Sequence, residues 1–479
     1  MAAVRKFLTN LSMLTAGALA AKLITFLAVA RMARALGTDL FGGVAFAIAF
    51  TMYFDLIISQ GLDVYAIQEV ARDRGALERR AAAILGLRLV SSLLALGALV
   101  AAVSLLARPT QVKWLLLLYG LTFLPSALSL KWVFQAVEEM KFVALANVVG
   151  QLVFAVFVLV FVWGPPRLLW IPAFQFLGDL AAALFLIRNY RRRFGPVRFA
   201  FELRSWGSML KESIPMGLSS ALSLVMFNFD LLLLGFLKPA SDVGQYGAAY
   251  KIIGFLSSLI VLYGRNLFPS ISRCRDRPEA LRRAAAVAQK YALAFALPVA
   301  AGGIFLARPL MGAVFGPEFS GGGWALAVLL WIVPAASCRA FYRGVLLSHG
   351  MQNANLGIAA AAVAVNLGLN FALIPRYSFR GSAVASLVSE MLLLGLMVAV
   401  VSRRLTPLPL WRHVWKPLLA CAPMAAFLFL SPSWSILLRV GGGLILYLGA
   451  VFAMGILKAG EIREIVGPSG QFRRTRFSR

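Results

Sequence analysis

Apolar residues run along this chain in long blocks separated by short polar, Arg-rich segments. Fourteen blocks approach the roughly 20 residues that a bilayer-spanning helix needs. They lie at about 11–33, 41–60, 84–106, 112–134, 142–163, 168–188, 213–237, 244–268, 291–315, 324–347, 355–375, 381–402, 414–430 and 434–457, the thirteenth being the shortest. Such continuous runs are not the dyad alternation of a membrane barrel strand. Gly and Pro interrupt several blocks, which a bilayer helix tolerates when its neighbours re-satisfy the backbone. The first block follows Arg5 and Lys6, as the core of a signal peptide would. Its apolar run is too long for one, so it reads as an uncleaved first helix. The pattern predicts an all-α polytopic membrane protein with about 14 transmembrane helices.

The polar segments give the blocks a direction. Those after even-numbered blocks are rich in cations: Arg72, Arg74, Arg79 and Arg80; Arg188, Arg191, Arg192, Arg193 and Arg198; Arg273, Arg275, Arg277, Arg282 and Arg283; Arg403 and Arg404. Those after odd-numbered blocks are short and hold one or two cations each, such as Arg108 with Lys113, or Lys238. The positive-inside rule then puts both termini in the cytoplasm and the chain in the cytoplasmic membrane.

Composition agrees. Of 479 residues 61% are apolar and 14% charged, with mean hydropathy +0.83. The net charge of +28 does not signal nucleic acid, because the cations sit between apolar runs. Three scattered cysteines without CxxC spacing, and two histidines in inter-span segments, offer no metal site and call for no cofactor. No outward segment exceeds about ten residues, short even for a compact connection. The catalytic carboxylates of a membrane transferase or polymerase have no room there, so an enzyme is not expected.

Two turns are similar at an offset of about two hundred residues. Leu36–Gly42 joins blocks one and two, and Lys238–Tyr246 joins blocks seven and eight; each holds an Asp, a Gly and an aromatic. Glu139-Met140-Lys141 and Gly350-Met351-Gln352 form a second pair. The expected organisation is a six-helix lobe at 1–190, an inter-lobe cytoplasmic loop at 191–212, a second six-helix lobe at 213–403, two further spans at 404–458 and a basic cytoplasmic tail at 459–479. The two lobes would be parallel repeats, an arrangement transporters use to bind near the midplane and rock.

The residues also resemble a known family. Ala33-Arg34-Ala35-Leu36-Gly37, followed by Phe41-Gly42, is similar to the opening turn of polysaccharide transporters of the multidrug/oligosaccharidyl-lipid/polysaccharide (MOP) exporter superfamily. Asn366, Asn370, Ile374-Pro375 and Gly381-Ser382-Ala383 resemble a later run, with Ser382 in place of an Ala. Trp132, Phe134, Gln135, Glu138 and Met140 match the W-x-FQG-x-E-x-M segment of the O-antigen flippase branch, with Ala136 replacing the Gly. The resemblance implies a 6+6+2 fold and a flippase for polyprenyl-pyrophosphate-linked oligosaccharide, working among membrane lipids and with polysaccharide polymerase and assembly proteins. The carrier tail can stay in the bilayer, but pyrophosphate and sugars need a polar route, because unsatisfied polar groups in hydrocarbon cost several kcal/mol each. A peptidoglycan lipid-precursor flippase makes the same demand. A cation-coupled multidrug antiporter of the same superfamily favours an acidic or aromatic cavity, against which midspan Lys and Arg argue. A purely structural scaffold would leave those charges unexplained.

Ionisable residues in spans usually face a cavity or pair with one another. Lys22 lies in block one, and related lipid flippases carry a cation at the similar position. Lys251 and Arg265 lie in block eight. Their spacing is close to four turns, so they share a face about 21 Å apart. They are the candidate headgroup track, with Arg34 at the outer mouth; snorkelling is the alternative for Arg265. Asn366 and Asn370 share a face of block eleven and would bond sugars or another helix. Asp230, beside Asn228, is the candidate ion-coupling carboxylate and an expected partner of Lys251; Asp55 is expected to face Lys22. Arg339 and Arg343 read as interfacial anchors. Residues 62–83 carry Leu62, Tyr65, Ala66 and Val70 on one side and read as a helix lying on the cytoplasmic membrane surface.

Overall fold

A computed structural model describes residues 2–408 and 411–456; the expected basic tail, 459–479, lies outside the described residues. Among the described residues sixteen α-helices follow one another: α1 (Ala2–Ser59), α2 (Leu62–Arg72), α3 (Leu77–Leu105), α4 (Thr110–Gly120), α5 (Phe123–Ala127), α6 (Lys131–Ala136), α7 (Met140–Phe161), α8 (Trp170–Phe194), α9 (Leu203–Leu237), α10 (Ala240–Cys274), α11 (Pro278–Phe315), α12 (Gly323–Leu329), α13 (Ile332–Ser348), α14 (Gln352–Arg404), α15 (Trp411–Leu430) and α16 (Ile436–Ala453). Among the described residues, ten helical stretches are long and apolar enough to cross a membrane, and Leu224–Leu237 and Val414–Leu430 are shorter apolar helices. The protein is an all-α, multi-pass membrane protein.

Two of these stretches are double length. Ala20–Arg72 and Gln352–Arg404 each hold 53 residues, about 80 Å of helix against a hydrocarbon core of about 30 Å. The long helices within them, α1 and α14, each break at one residue, and the first stretch turns again at Gln60-Gly61 before α2. Gly37 has φ 74° and ψ 177°, a region essentially reserved for glycine. Ser378 has φ 52° and ψ −137°, and its hydroxyl donates to the Asp242 carboxylate. The turns expected after blocks one and eleven are therefore single-residue breaks in otherwise helical chain.

The chain forms two compact units. The first comprises Met1–Ala248 with Val314–Phe319 and Ile374–Phe379. Its core gathers Trp132, Phe134, Ile84, Leu85, Leu186 and Tyr190. The α2 helix belongs to that core. Leu62, Tyr65, Ala66 and Val70 are its buried face, and all four lie in the same cluster. The surface-lying helix expected over 62–83 is corrected accordingly: an amphipathic stripe reports an apolar face but not what covers it, and here protein covers it. Charge reinforces the packing, because the buried Arg88 of α3 donates to Asp63 of α2 at 2.7 Å.

The second unit comprises Ala249–Ala313, Ser320–Leu373 and the described part of Arg380–Arg479. Within it α15 and α16 pack as a hairpin, and Tyr447 Oη of α16 donates to the Ala294 carbonyl of α11 at 2.5 Å. Arg339 of α13 donates to Glu390 of α14, the carboxylate being 3% exposed. Arg339 is thus half of an interhelical ion pair rather than the interfacial anchor expected.

Candidate functional site

In the first unit, one end is built where the short connections meet. Arg34 Nε donates to the Val314 carbonyl at 2.9 Å, and Gln245 Nε2 to the Glu318 carbonyl at 2.6 Å. Lys238 Nζ reaches the Pro375 carbonyl at 2.8 Å. Phe41 and Phe319 meet edge to face, with ring centroids 5.6 Å apart. The two turns that looked alike in sequence touch here. A side chain on Gly42 would strike the Ala240 carbonyl, and one on Gly244 would strike the Thr38 carbonyl. Each glycine stands four residues after the carbonyl that its counterpart meets, so the contact is reciprocal. Small residues let helix backbones approach this closely.

Asp230 is 1% exposed in the same unit. Its carboxylate accepts from the Tyr246 hydroxyl and from the backbone N–H of Leu231 at 2.8 Å. Asp55 is half-buried and accepts from Ser126 Oγ at 2.8 Å. Of the flippase-like segment, Trp132 and Phe134 are fully buried core residues. Gln135 is half-buried and Glu138 exposed at the turn into α7, with φ 61°.

The candidate cations are placed differently. Lys22, Arg34, Lys251 and Arg265 are all exposed. Along α10 an open stripe runs through Lys251, Gly254, Val261 and Arg265, and a side chain added at Gly254 would meet open space. Asn366 and Asn370, by contrast, are 2% and 0% exposed. Asn366 donates to Ser389 Oγ at 3.2 Å, Asn370 donates to Asn366, and Ser382 donates to Asn370 Oδ1 at 3.2 Å. Both asparagines therefore cross-link the two halves of α14 in this structure, with no face open to a sugar.

The second unit also holds a groove of about 600 Å³ walled by α10, α11, α15 and α16. Phe295, Pro298, Leu306, Met424, Leu444 and Leu448 line it, and Arg439 is its one charged lining residue. Arg439 is 7% exposed and donates to the carbonyls of Leu428 at 3.2 Å and Phe305 at 3.4 Å. Sequence reasoning passed over Arg88 and Arg439. Both are cations inside apolar blocks, and that signal was available for each.

The profile of one family, described as polysaccharide biosynthesis protein, matches residues 7–275, more than half of the chain. The chain belongs to this family. It is 25% identical over 385 residues to a Shigella dysenteriae protein described as an O-antigen transporter, covering 79% of this chain and 96% of that one. It is 27% identical over 205 residues to a Haloferax volcanii protein described as the flippase AglR, covering 42% of this chain and 43% of that one. In fold it is similar to a lipid II flippase MurJ in an inward closed conformation, with TM-score 0.77, 12% identity, and 93% of this chain and 100% of that one covered. An inward-facing MATE transporter of the MOP superfamily follows at TM-score 0.63 and 16% identity, with 81% and 95% covered. The family member described here is a multi-pass membrane protein of a polysaccharide biosynthesis family.

Proposed function

We propose that this protein is a flippase that moves polyprenyl-pyrophosphate-linked oligosaccharide from the inner to the outer leaflet by alternating access through a cationic cavity. The observation that carries the reading is the exposure of Lys22, Lys251 and Arg265 on membrane-length helices. A cation within the membrane is costly unless it meets water, an anion or a polar cavity. A pyrophosphate satisfies that need, and Arg fits phosphate geometry with paired donors. The apolar groove of the second unit suits the other end of such a molecule, a long hydrocarbon chain.

Asp230 is the coupling carboxylate in this reading. A charged Asp230 accepts from the buried Tyr246 hydroxyl, whereas a protonated one would also carry a donor in need of an acceptor. The two double-length stretches and the two shorter apolar helices together leave room for fourteen crossings, in two six-helix repeats and a final pair. The Arg-rich segments and both termini then face the cytoplasm.

The test is reconstitution. Purified protein in vesicles should translocate a fluorescent polyprenyl-pyrophosphate sugar. Lys22→Ala with Lys251→Ala should lose that activity, and Asp230→Asn should abolish its dependence on an ion gradient. Equal transport by the double variant, or efflux of cationic dyes in place of the lipid, would refute the reading. A peptidoglycan precursor offered in the same vesicles separates that alternative.

A further inference from the structure

We infer that the first unit carries a second anion site, apart from the translocation route, for a phosphate ester bearing free hydroxyls. The feature is a cavity of about 1110 Å³ at the end of this unit that carries Arg-rich segments. It is lined by Glu78 and Arg79 at the start of α3, by Glu139 at the turn into α7, by Arg193 at the end of α8, and by Arg198 beyond it. Two regions distant in sequence, the start of α3 and the chain around the end of α8, thus bring three guanidinium groups to one hollow.

The walls are fixed. Gly195, at φ 100°, turns the chain sharply after α8. The following segment then lies back on α3, where the Ala200 N–H donates to the Ala82 carbonyl at 2.9 Å. Only a glycine at position 86 lets the Ala200 carbonyl come so near, because any side chain there would strike it. Arg193 is held from two sides, by its ion pair with Glu139 and by the Phe142 ring, 4.6 Å from the guanidinium carbon. Only one of its five donors is engaged in that pair.

The remaining groups are not engaged. Among the described residues neither Arg79 nor Arg198 nor Glu78 takes part in a hydrogen bond or ion pair, and all three are exposed. Three guanidinium groups beside one uncommitted carboxylate suit a ligand with both an anion and hydroxyls. Phosphate takes the arginines. Glu78, which can only accept when ionised, takes hydroxyl protons. The volume far exceeds one phosphate group and leaves room for a glycerol or a hexose. Two sources share this chemistry, a phosphoglycerol lipid headgroup in the adjacent leaflet and a sugar phosphate. The inference rests on the first unit alone and uses no residue assigned to transport, so it stands or falls apart from the flippase reading.

Native mass spectrometry of the full chain in detergent tests it. The probes are short-chain phosphatidylglycerol, phosphatidic acid and phosphatidylcholine, and galactose 1-phosphate. Retention of phosphatidylglycerol above phosphatidic acid identifies the lipid source; retention of galactose 1-phosphate identifies the soluble one. In either case Arg79→Ala with Arg198→Ala should lower retention by about tenfold or more, the effect of losing charge-assisted hydrogen bonds. Glu78→Gln should bring phosphatidylglycerol and phosphatidic acid to equal retention, or halve the retention of galactose 1-phosphate. Retention no better than that of phosphatidylcholine by the unaltered protein, with no sugar phosphate bound, overturns the site. So does retention that the paired arginine substitutions leave unchanged.

Discussion

Within the second unit, two polar regions of equal promise in the sequence have opposite fates. On α14, Asn366 and Asn370 are sealed, and each is bonded within a network that includes Ser382 and Ser389. On α10, Lys251 and Arg265 stand exposed along an open stripe. The difference lies in what each group requires of its surroundings. A neutral amide can be satisfied by hydroxyls and carbonyls of its own helix or a neighbour. A Lys or Arg head can be satisfied inside a protein only by an anion or several acceptors, and burial without them is severely unfavourable. Arg339 shows the buried solution, with Glu390 beside it. Polar residues in a membrane bundle therefore divide by their partners: those with internal partners hold helices together, and those that keep an open face are the ones the proposed function draws on.

The largest effect should come from breaking the buried pair. Glu390→Ala strands Arg339 and should destabilise the protein by about 3–5 kcal/mol. A fall in thermal unfolding midpoint measures it, and adding Arg339→Met should restore most of the loss, because an apolar pair of similar volume replaces a buried ion pair well. An unchanged midpoint would mean that the pair carries no structural role. Next, Lys251→Ala with Arg265→Ala should leave the midpoint nearly in place while lowering lipid translocation by about 100-fold, the loss of two charge-assisted contacts. A matched fall in stability and transport would erase the distinction between the two regions. Gly42→Val comes third. Its side chain must displace the Ala240 carbonyl, an overpacking cost of about 1–3 kcal/mol. Because that contact closes the short-connection end, maleimide labelling of a cysteine placed at Thr38 should rise with it.

Hydropathy made most of the fold legible, because a span must be apolar over its whole length and cannot hide that from a sequence. It did not reveal that the turns near Gly37 and Ser378 are single-residue breaks, since φ at one residue leaves no trace in an apolar pattern. The stripe Leu62, Tyr65, Ala66 and Val70 was legible as a face, but its cover comes from residues as far away as Leu186 and Met209. The candidate cations could be found because charge in an apolar block is conspicuous. Their open faces could not, because exposure is decided by neighbouring helices. Trp132 and Phe134 stood out through resemblance, and their burial shows that part of that segment serves packing.

The smallest effect is the one that decides between two roles for the asparagines. Asn370→Ala removes its bonds to Asn366 and Ser382. Hydrogen bonds between membrane helices average about 0.6 kcal/mol and reach about 1.7 kcal/mol. A cross-linking Asn370 therefore predicts a small drop in unfolding midpoint and an unchanged KM for the lipid-linked sugar. A sugar-binding Asn370 predicts the reverse, a raised KM at constant midpoint, because the lost bond would belong to the complex and not to the free protein. Serine at the same position sharpens the comparison. It keeps one short hydroxyl that can reach its own helix carbonyl but not span to Ser382, so Asn370→Ser should match the alanine variant in stability if the network holds the helix together. Ser382→Ala, which removes the donor from the other side, should lower the midpoint by a similar amount, and the double variant should cost less than the sum, as expected for two groups in one bonded network.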